Sequence, residues 1–227
     1  MNESLAERLS LLQQRITAAA IRAGRRPSEV KLLPASKKVS VEVLRELFAL
    51  GVHAFGENKV QEAKLKVSML PASCSWHFIG GLQRNKAKDA VRLFQVIHSL
   101  DSRELIDELA KRATEAGKTM QVLIEVNAAG EASKHGARPE EASALVEYAN
   151  QQRPLEVIGL MAVVPFYDDV EKVRPYFKQI RELRDSIQHE TGIILPELSM
   201  GMSHDFEVAI EEGATWVRVG TSLFGER

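Results

Sequence analysis

The chain repeats one pattern eight times: a short apolar segment is followed by a segment whose apolar residues recur every three or four positions. The first segment of each unit is typical of a buried strand and the second of an amphipathic helix. Strands that alternate regularly with helices run parallel, because each helix returns the chain to the start of the next strand. The predicted strands lie near residues 32–37, 53–57, 76–80, 94–98, 120–127, 155–164, 195–201 and 215–219.

Eight such units favour a single α/β fold, the (β/α)8 TIM barrel, over an open, doubly wound sheet. No glycine-rich dinucleotide turn follows the first strand, which also argues against the open sheet. One extra helix precedes the units, with Leu5, Leu9, Leu12 and Ile16 on one face. Since no linker interrupts the pattern, we expect residues 1–227 to form one domain.

Charge and cysteine content exclude several classes of protein. The chain has 30 Lys and Arg against 31 Asp and Glu, a balance that argues against a nucleic-acid partner. Cys74 is the only cysteine, so no internal disulfide can form. The N-terminus does not have the pattern of a signal peptide, and the longest apolar stretch is too short to span a bilayer. We therefore expect a cytoplasmic protein without a membrane partner, and a monomer, because no additional dimerisation element is visible.

The first predicted strand ends on two lysines, Lys37 and Lys38. A primary amine in a partly desolvated site is more often neutral and therefore attacks carbonyl groups. The simpler alternative is a lysine that extends into solvent. In an extended chain the two side chains would point to opposite faces, so they would not have the same role. A further lysine, Lys134, lies in a predicted loop, where a solvated side chain is favoured over the alternative of a secondary or transfer site for an aldehyde.

Two glycine-rich segments end the seventh and eighth strands, Gly201-Met202-Ser203 and Gly220-Thr221-Ser222. Barrels of this class often bind phosphate there through backbone N–H groups. Either segment alone is also typical of an ordinary tight turn. Together, at these two positions, they favour a phosphate site.

Arg218 lies two residues before Gly220 and could face a ring or a carboxylate at the barrel mouth. A guanidinium keeps its proton, so it would leave a neighbouring pyridine nitrogen unprotonated and weaken carbanion chemistry. The alternative is a structural ion pair with Glu57 or Glu125.

His77 and His98 could be acid–base groups, metal ligands or hydrogen-bonded strand histidines. No cluster has metal-ligand spacing, so we predict no metal. For Met161, Met200 and Met202 we expect packing inside the barrel, and the alternative is that one of them contacts a ligand.

Several segments together resemble the pyridoxal phosphate homeostasis protein family, also called the YggS or PROSC family. They are distributed over nearly the whole chain: Leu32-Leu33-Pro34-Ala35-Ser36-Lys37, Phe55-Gly56-Glu57-Asn58-Lys59-Val60-Gln61-Glu62, Trp76-His77-Phe78-Ile79-Gly80, Leu82-Gln83-Arg84-Asn85-Lys86, Gly159-Leu160-Met161-Ala162, Leu198-Ser199-Met200-Gly201-Met202-Ser203 and Val217-Arg218-Val219-Gly220.

The resemblance implies an alanine-racemase-like barrel that holds pyridoxal 5'-phosphate (PLP) as a Schiff base on Lys37 and takes part in intracellular PLP (vitamin B6) homeostasis without established catalysis. It implies a phosphate site at Ser203, Gly220 and Thr221, and Arg218 at the pyridine nitrogen. Asn58, His77 and Met161 would line the rest of the pocket. PLP is the expected ligand, and apo-enzymes that receive PLP are further expected partners.

The chain departs from the family pattern at Pro34 and Lys38, where alanine or valine and threonine are more usual. Proline lacks a backbone donor, so we expect a local irregularity in the first strand.

Two alternatives use the same lysine. A racemase-like enzyme needs two acid–base groups on opposite faces of its substrate, and in barrel racemases the second comes from an additional C-terminal domain. This sequence stops just after the eighth strand, so the non-catalytic role is favoured. A Schiff-base aldolase would use the lysine without a bound cofactor.

Overall fold

The computed structural model describes residues 3–130 and 135–225. Its sheet contains eight parallel strands in the order β1-β8-β7-β6-β5-β4-β3-β2. The strands are β1 Lys31–Pro34, β2 Ala54–Glu57, β3 Ser75–Phe78, β4 Val96–Leu100, β5 Met120–Val126, β6 Leu155–Ala162, β7 Glu197–Met202 and β8 Trp216–Val219. The first strand pairs with the last, so the sheet curves into the predicted (β/α)8 barrel.

Helices alternate with the strands, as expected from the apolar periodicity. They are α1 Leu5–Arg22, α2 Val41–Ala49, α3 Val60–Val67, α4 Ala87–Leu93, α5 Arg103–Glu115, α6 Pro139–Asn150, α7 Arg174–Thr191, α8 Phe206–Glu211 and α9 Thr221–Phe224. A 3-10 turn over Val170–Val173 precedes the long helix α7. None of the helices described is long and apolar enough to cross a bilayer.

The extra N-terminal helix begins at a capping box in which Ser4 and Glu7 satisfy each other's backbone N–H groups. Its buried apolar stripe packs against α8 and α9. The helix thereby covers the part of the barrel wall next to β8.

The barrel closes between β1 and β2 through a single bridge, Ala35 to Gly56. Lys31 donates its N–H group to Thr215, just before β8, and Ala35 donates to Val219 in β8, whereas Ser36 donates to Gly56 on the β2 side. Because donors alternate sides along a strand, the position of Pro34 faces β2, where proline has no N–H to give. The register of β1 with β8 is continuous through Pro34, so the strand itself is regular, and the proline instead limits the pairing of β1 with β2.

Most apolar side chains lie between the sheet and the helices, in one continuous core. The interior of the barrel is different. It contains a small apolar cluster of Val96, Leu123 and Met161, and beside it a set of buried polar side chains. These include His77, His98, Ser199, Glu125 and Arg218.

Candidate functional site

A cavity of about 620 Å³ opens at the carboxyl ends of β1, β2, β7 and β8. Six residues that the sequence predicted for the site line it: Lys37, Asn58, Ser203, Arg218, Gly220 and Thr221. The volume lies within the usual range for small-molecule and cofactor sites. Parallel strands from both ends of the chain bring these residues together, because β1 and β8 are neighbours in the closed sheet.

Lys37 lies in a turn that follows β1, and its side chain is exposed. The sequence argument placed it in a partly desolvated site, and the structure corrects this. Lys38 also lines the cavity, although strand alternation predicted that it would face away. The reason is that β1 ends at Pro34, and Lys38 adopts a left-handed backbone with φ of 58°. Alternation therefore does not apply to these two residues.

Asn58 is placed at the cavity by close backbone packing. A side chain at Gly80 would put its Cβ 2.4 Å from the carbonyl oxygen of Asn58. Only glycine allows this approach of the segment after β3 to the segment after β2.

The opposite wall of the cavity is rich in hydrogen-bond donors. The hydroxyl of Ser203 accepts from the N–H groups of Gly220 (3.0 Å) and Ser222 (3.3 Å), which ties the β7 and β8 segments together. Both acceptor positions of the hydroxyl are then used, and its own O–H remains to donate. Within residues 3–130 and 135–225, the backbone N–H groups of Ser203, His204 and Thr221 have no acceptor. Such a group of donors suits a phosphate.

Arg218 is buried below this wall, and uncharged oxygens hold its guanidinium. One nitrogen donates to the carbonyl (2.5 Å) and the hydroxyl (2.8 Å) of Ser199, and another to the carbonyl of Ala162 (2.8 Å). Burial lowers the pKa of Arg218 to about 10, against the opposing influence of Glu125 and Asp205. The side chain is therefore a cation at neutral pH. The alternative ion pair with Glu57 is wrong, because the described contacts of that carboxylate are with Lys66 and Ser36.

A chain of hydrogen bonds continues from Arg218 through the barrel. Ser199 Oγ lies 2.8 Å from Nδ1 of His98, whose Nε2 lies 3.0 Å from Nδ1 of His77. Nε2 of His77 lies 3.2 Å from the hydroxyl of Ser75. A guanidinium only donates, so Ser199 Oγ accepts from Arg218. If the Ser199 hydroxyl donates onward to Nδ1 of His98, both rings carry their proton on Nε2.

Both histidines are neutral for the same reason. Burial, with the charge of Lys31 nearby, lowers the pKa of His77 to about 3. Burial, with His77 and Arg218 nearby, lowers the pKa of His98 well below its usual value. The structure thus supports the hydrogen-bonded interpretation of these histidines and places His77 inside the barrel, away from the cavity lining.

Glu125 is the second ionisable group in this interior. Burial and the nearby Asp101 raise its pKa to about 7, although Arg218 and His135 oppose the shift. Its Oε2 is buried and has no hydrogen-bond partner among the described residues.

Met161 belongs to the apolar cluster inside the barrel and does not line the cavity. The methionine at the cavity is Met202, at the end of β7. Lys59, Glu62 and His204 also line it, and no motif assigned them a role. Lys59 and Glu62 belong to the segment 55–62 that carries part of the family resemblance, and His204 follows the end of β7, so their signals in the sequence were membership of a motif and position. Lys134 lies outside the described residues.

No group of metal-ligating side chains gathers anywhere in residues 3–130 and 135–225.

Comparison with known proteins identifies similar chains. The family model described as "Alanine racemase, N-terminal domain" matches residues 9–227. A pyridoxal phosphate homeostasis protein of Aquifex aeolicus is 51% identical over 222 residues, 97% of both chains. A protein of the same name from Pseudomonas aeruginosa is 40% identical over 225 residues, 99% of this chain and 96% of that one.

A solved structure shares the fold and carries a ligand. PipY of Synechococcus elongatus, determined with PLP bound, is 36% identical and superposes with a TM-score of 0.84. The match covers 98% of this chain and all of that one, 100%.

Proposed function

Because the chain belongs to the pyridoxal phosphate homeostasis protein family, we propose that it binds PLP at the barrel mouth and takes part in PLP homeostasis. One observation carries the assignment: the amine of Lys37, the donor wall around Ser203 and Thr221 and the cation of Arg218 line one cavity. The PLP-bound PipY structure, with the same fold, supports it.

Each residue then has a role toward the ligand. PLP supplies an aldehyde, with which a lysine amine forms a carbon–nitrogen double bond as one water leaves. Lys37 provides that amine, so PLP is held as a Schiff base. The N–H groups of Ser203 and Thr221, the loop at Gly220 and the Ser203 hydroxyl bind the phosphate. Arg218, which keeps its proton, faces the ring nitrogen, and Asn58 contacts the ring.

We also propose that binding, rather than turnover, is the main role. The relatives are named for homeostasis and not for an enzyme activity. Lys37 is exposed to solvent, which suits exchange of a ligand better than chemistry that must exclude water. Residues 1–227 would act as one PLP-binding domain, monomeric and cytoplasmic, which passes PLP to apo-enzymes.

The test is borohydride reduction of the protein after incubation with PLP, followed by mass spectrometry of its peptides. We expect the reduced adduct on Lys37, its loss in Lys37→Ala and its retention in Lys38→Ala, which removes the neighbouring cavity amine. An adduct on another lysine, or none, would overturn the assignment. Racemisation of alanine at roughly 1 per second or faster would instead support the enzyme.

A further inference from the structure

The turn that carries Lys37 has an unfavourable backbone. Lys38 is the only non-glycine among the described residues with positive φ, at 58°. A lysine rarely adopts this left-handed conformation unless surrounding contacts hold it there. The contacts around the turn should therefore show what keeps the amine of Lys37 at the cavity.

Two side chains of α3 hold the turn, one on each side of Lys37. Glu62 Oε2 accepts the backbone N–H of Lys38 at 3.0 Å. Nζ of Lys66 donates to the carbonyl oxygen of Ser36 at 2.7 Å. Glu62 and Lys66 are four residues apart, so they lie on the same face of the helix. The residues before and after Lys37 are thus each bound by side chains from successive turns of α3.

This pair of contacts is anchored to the barrel wall. Lys66 Nζ also lies 2.6 Å from Oε1 of Glu57, a fully buried residue at the end of β2. The hydroxyl of Ser36 donates to the same carboxylate oxygen at 2.7 Å. The Lys66 ammonium therefore cannot swing away from Ser36 without leaving a buried carboxylate unpaired.

We propose that Glu62 and Lys66 are positioning residues that clamp the turn from both sides and keep the amine of Lys37 directed at the cavity. The inference rests on the proposed function of Lys37. Its consequence is specific: loss of the clamp slows the covalent attachment of PLP, but leaves the phosphate and ring contacts of the opposite wall intact.

A purely structural role would weaken every kind of binding. Pyridoxine 5'-phosphate separates the two roles, because it shares the ring and phosphate of PLP but has an alcohol in place of the aldehyde. Its affinity reports the pocket without the lysine, whereas the rate of borohydride-trapped PLP adduct reports the lysine.

The matched variants are Glu62→Gln and Glu62→Leu, which are similar in size. Glutamine keeps an oxygen that can accept from the Lys38 N–H, and leucine does not. Glu62 lines the cavity, and both variants remove its charge, so they are compared with each other. We expect Glu62→Leu to slow PLP attachment roughly fivefold relative to Glu62→Gln, the effect of one lost hydrogen bond, while the two variants have equal affinity for pyridoxine 5'-phosphate. Equal attachment rates in the two variants, or a parallel loss for both ligands in Glu62→Leu relative to Glu62→Gln, would overturn the clamp.

A second background tests whether Glu62 acts on the backbone or on the Lys38 ammonium. Lys38→Asn keeps the N–H, removes the amine and tolerates positive φ. We expect Glu62→Leu to have the same effect in this background as in wild type. If the effect disappears, Glu62 acts by pairing with the ammonium and the proposal is wrong.

Hydrogen exchange of the Lys38 amide gives a readout without PLP. Exchange should be faster in Glu62→Leu than in Glu62→Gln or wild type, and equal rates in the three proteins would contradict the clamp. If wild type forms no adduct at all, the proposed function fails, and the exchange rates still decide whether Glu62 holds the turn.

Discussion

Two buried cations lie near the barrel mouth, Lys66 and Arg218, and they differ in the charge of the groups that they contact. Lys66 is in direct contact with a buried carboxylate, that of Glu57. The hydrogen bonds of Arg218 go to the carbonyl and hydroxyl of Ser199 and the carbonyl of Ala162, which carry no charge. The charge of Lys66 is therefore neutralised where it lies, whereas that of Arg218 remains to act on the cavity that it lines.

The difference in contact partners indicates two roles for a buried positive charge, one structural and one directed at a ligand. A neutralised cation inside the wall serves structure, since removing it leaves its partner charge buried. A cation held by neutral dipoles is fixed in position but still attracts electrons in a ligand. The comparison predicts that substitutions around the two cations will differ in size and in sign.

The largest effect is expected for Lys66→Met, which leaves the buried carboxyl group of Glu57 without its cationic partner. Breaking a buried pair from one side typically lowers the free energy of unfolding by about 3–5 kcal/mol. Chemical denaturation measures it. The double variant Lys66→Met/Glu57→Gln should recover more than half of the loss. A loss below about 1 kcal/mol in the single variant would mean that the charge of Lys66 is not structural.

Glu125→Gln should raise the free energy of unfolding, whereas Lys66→Met lowers it. In the folded protein the carboxyl of Glu125 keeps its proton up to about pH 7, against an ordinary pKa of 4.5. The folded state binds more protons between these values, so stability falls as pH rises through 7. The variant should gain on the order of 3 kcal/mol at pH 8 and nothing at pH 4.

Denaturation curves at both pH values test this sign. A gain that is equal at pH 4 and pH 8 would show that titration of Glu125 is not its cause.

A smaller loss is expected for Ser199→Ala, which removes the hydroxyl's hydrogen bonds to the Arg218 guanidinium and to His98. Hydrogen bonds to charged groups contribute about 1.5–3 kcal/mol, and neutral ones about 1 kcal/mol. Ser75→Ala, which removes the neutral bond at the other end of the chain through His77, is the matched control. Ser199→Ala should cost more stability and also weaken PLP binding. Equal losses of stability in Ser199→Ala and Ser75→Ala would mean that the charge of Arg218 does not strengthen its hydrogen bond to Ser199.

The smallest effect is expected for Lys178→Met on α7. Its ion pair with Glu182 spans 3.7 Å, and both side chains are more than half exposed, at 56% and 62%. Exposed pairs four residues apart on a helix contribute roughly 0.3–0.5 kcal/mol. The identical substitution at Lys66 then isolates the effect of burial. If chemical denaturation gives a similar loss of unfolding free energy for Lys178→Met and Lys66→Met, burial of the ion pair is not what makes Lys66 structural.

Most of the barrel could be predicted from the sequence because its elements follow local rules. Apolar residues spaced by three or four mark the helices, and short apolar runs mark the strands. Pro34 indicated a missing donor in the first strand, because a missing N–H is a property of the residue itself. The glycine-rich ends of β7 and β8 likewise predicted where donors would gather.

The site could be predicted only in part. Six of the expected residues line the cavity, but His77 and Met161 lie inside the barrel instead. Sequence position gives the end of a strand, but not the depth of a side chain within the barrel. The orientation of Lys38 was also beyond prediction, since it depends on a turn that α3 holds from another part of the chain.

The sequence by itself determined the number and order of the elements, the lysine at the end of β1 and the donors at the ends of β7 and β8, because these depend on local residue types. Only the tertiary structure decided which cation is neutralised. Glu57 and Glu125 were equal candidates for Arg218 by composition. The position of α3 beside β2 placed Lys66 against Glu57, and Arg218 inside the barrel was left among neutral oxygens. The strength of an ion pair depends on the distance between the charges and on their burial, and sequence position alone predicts neither of these.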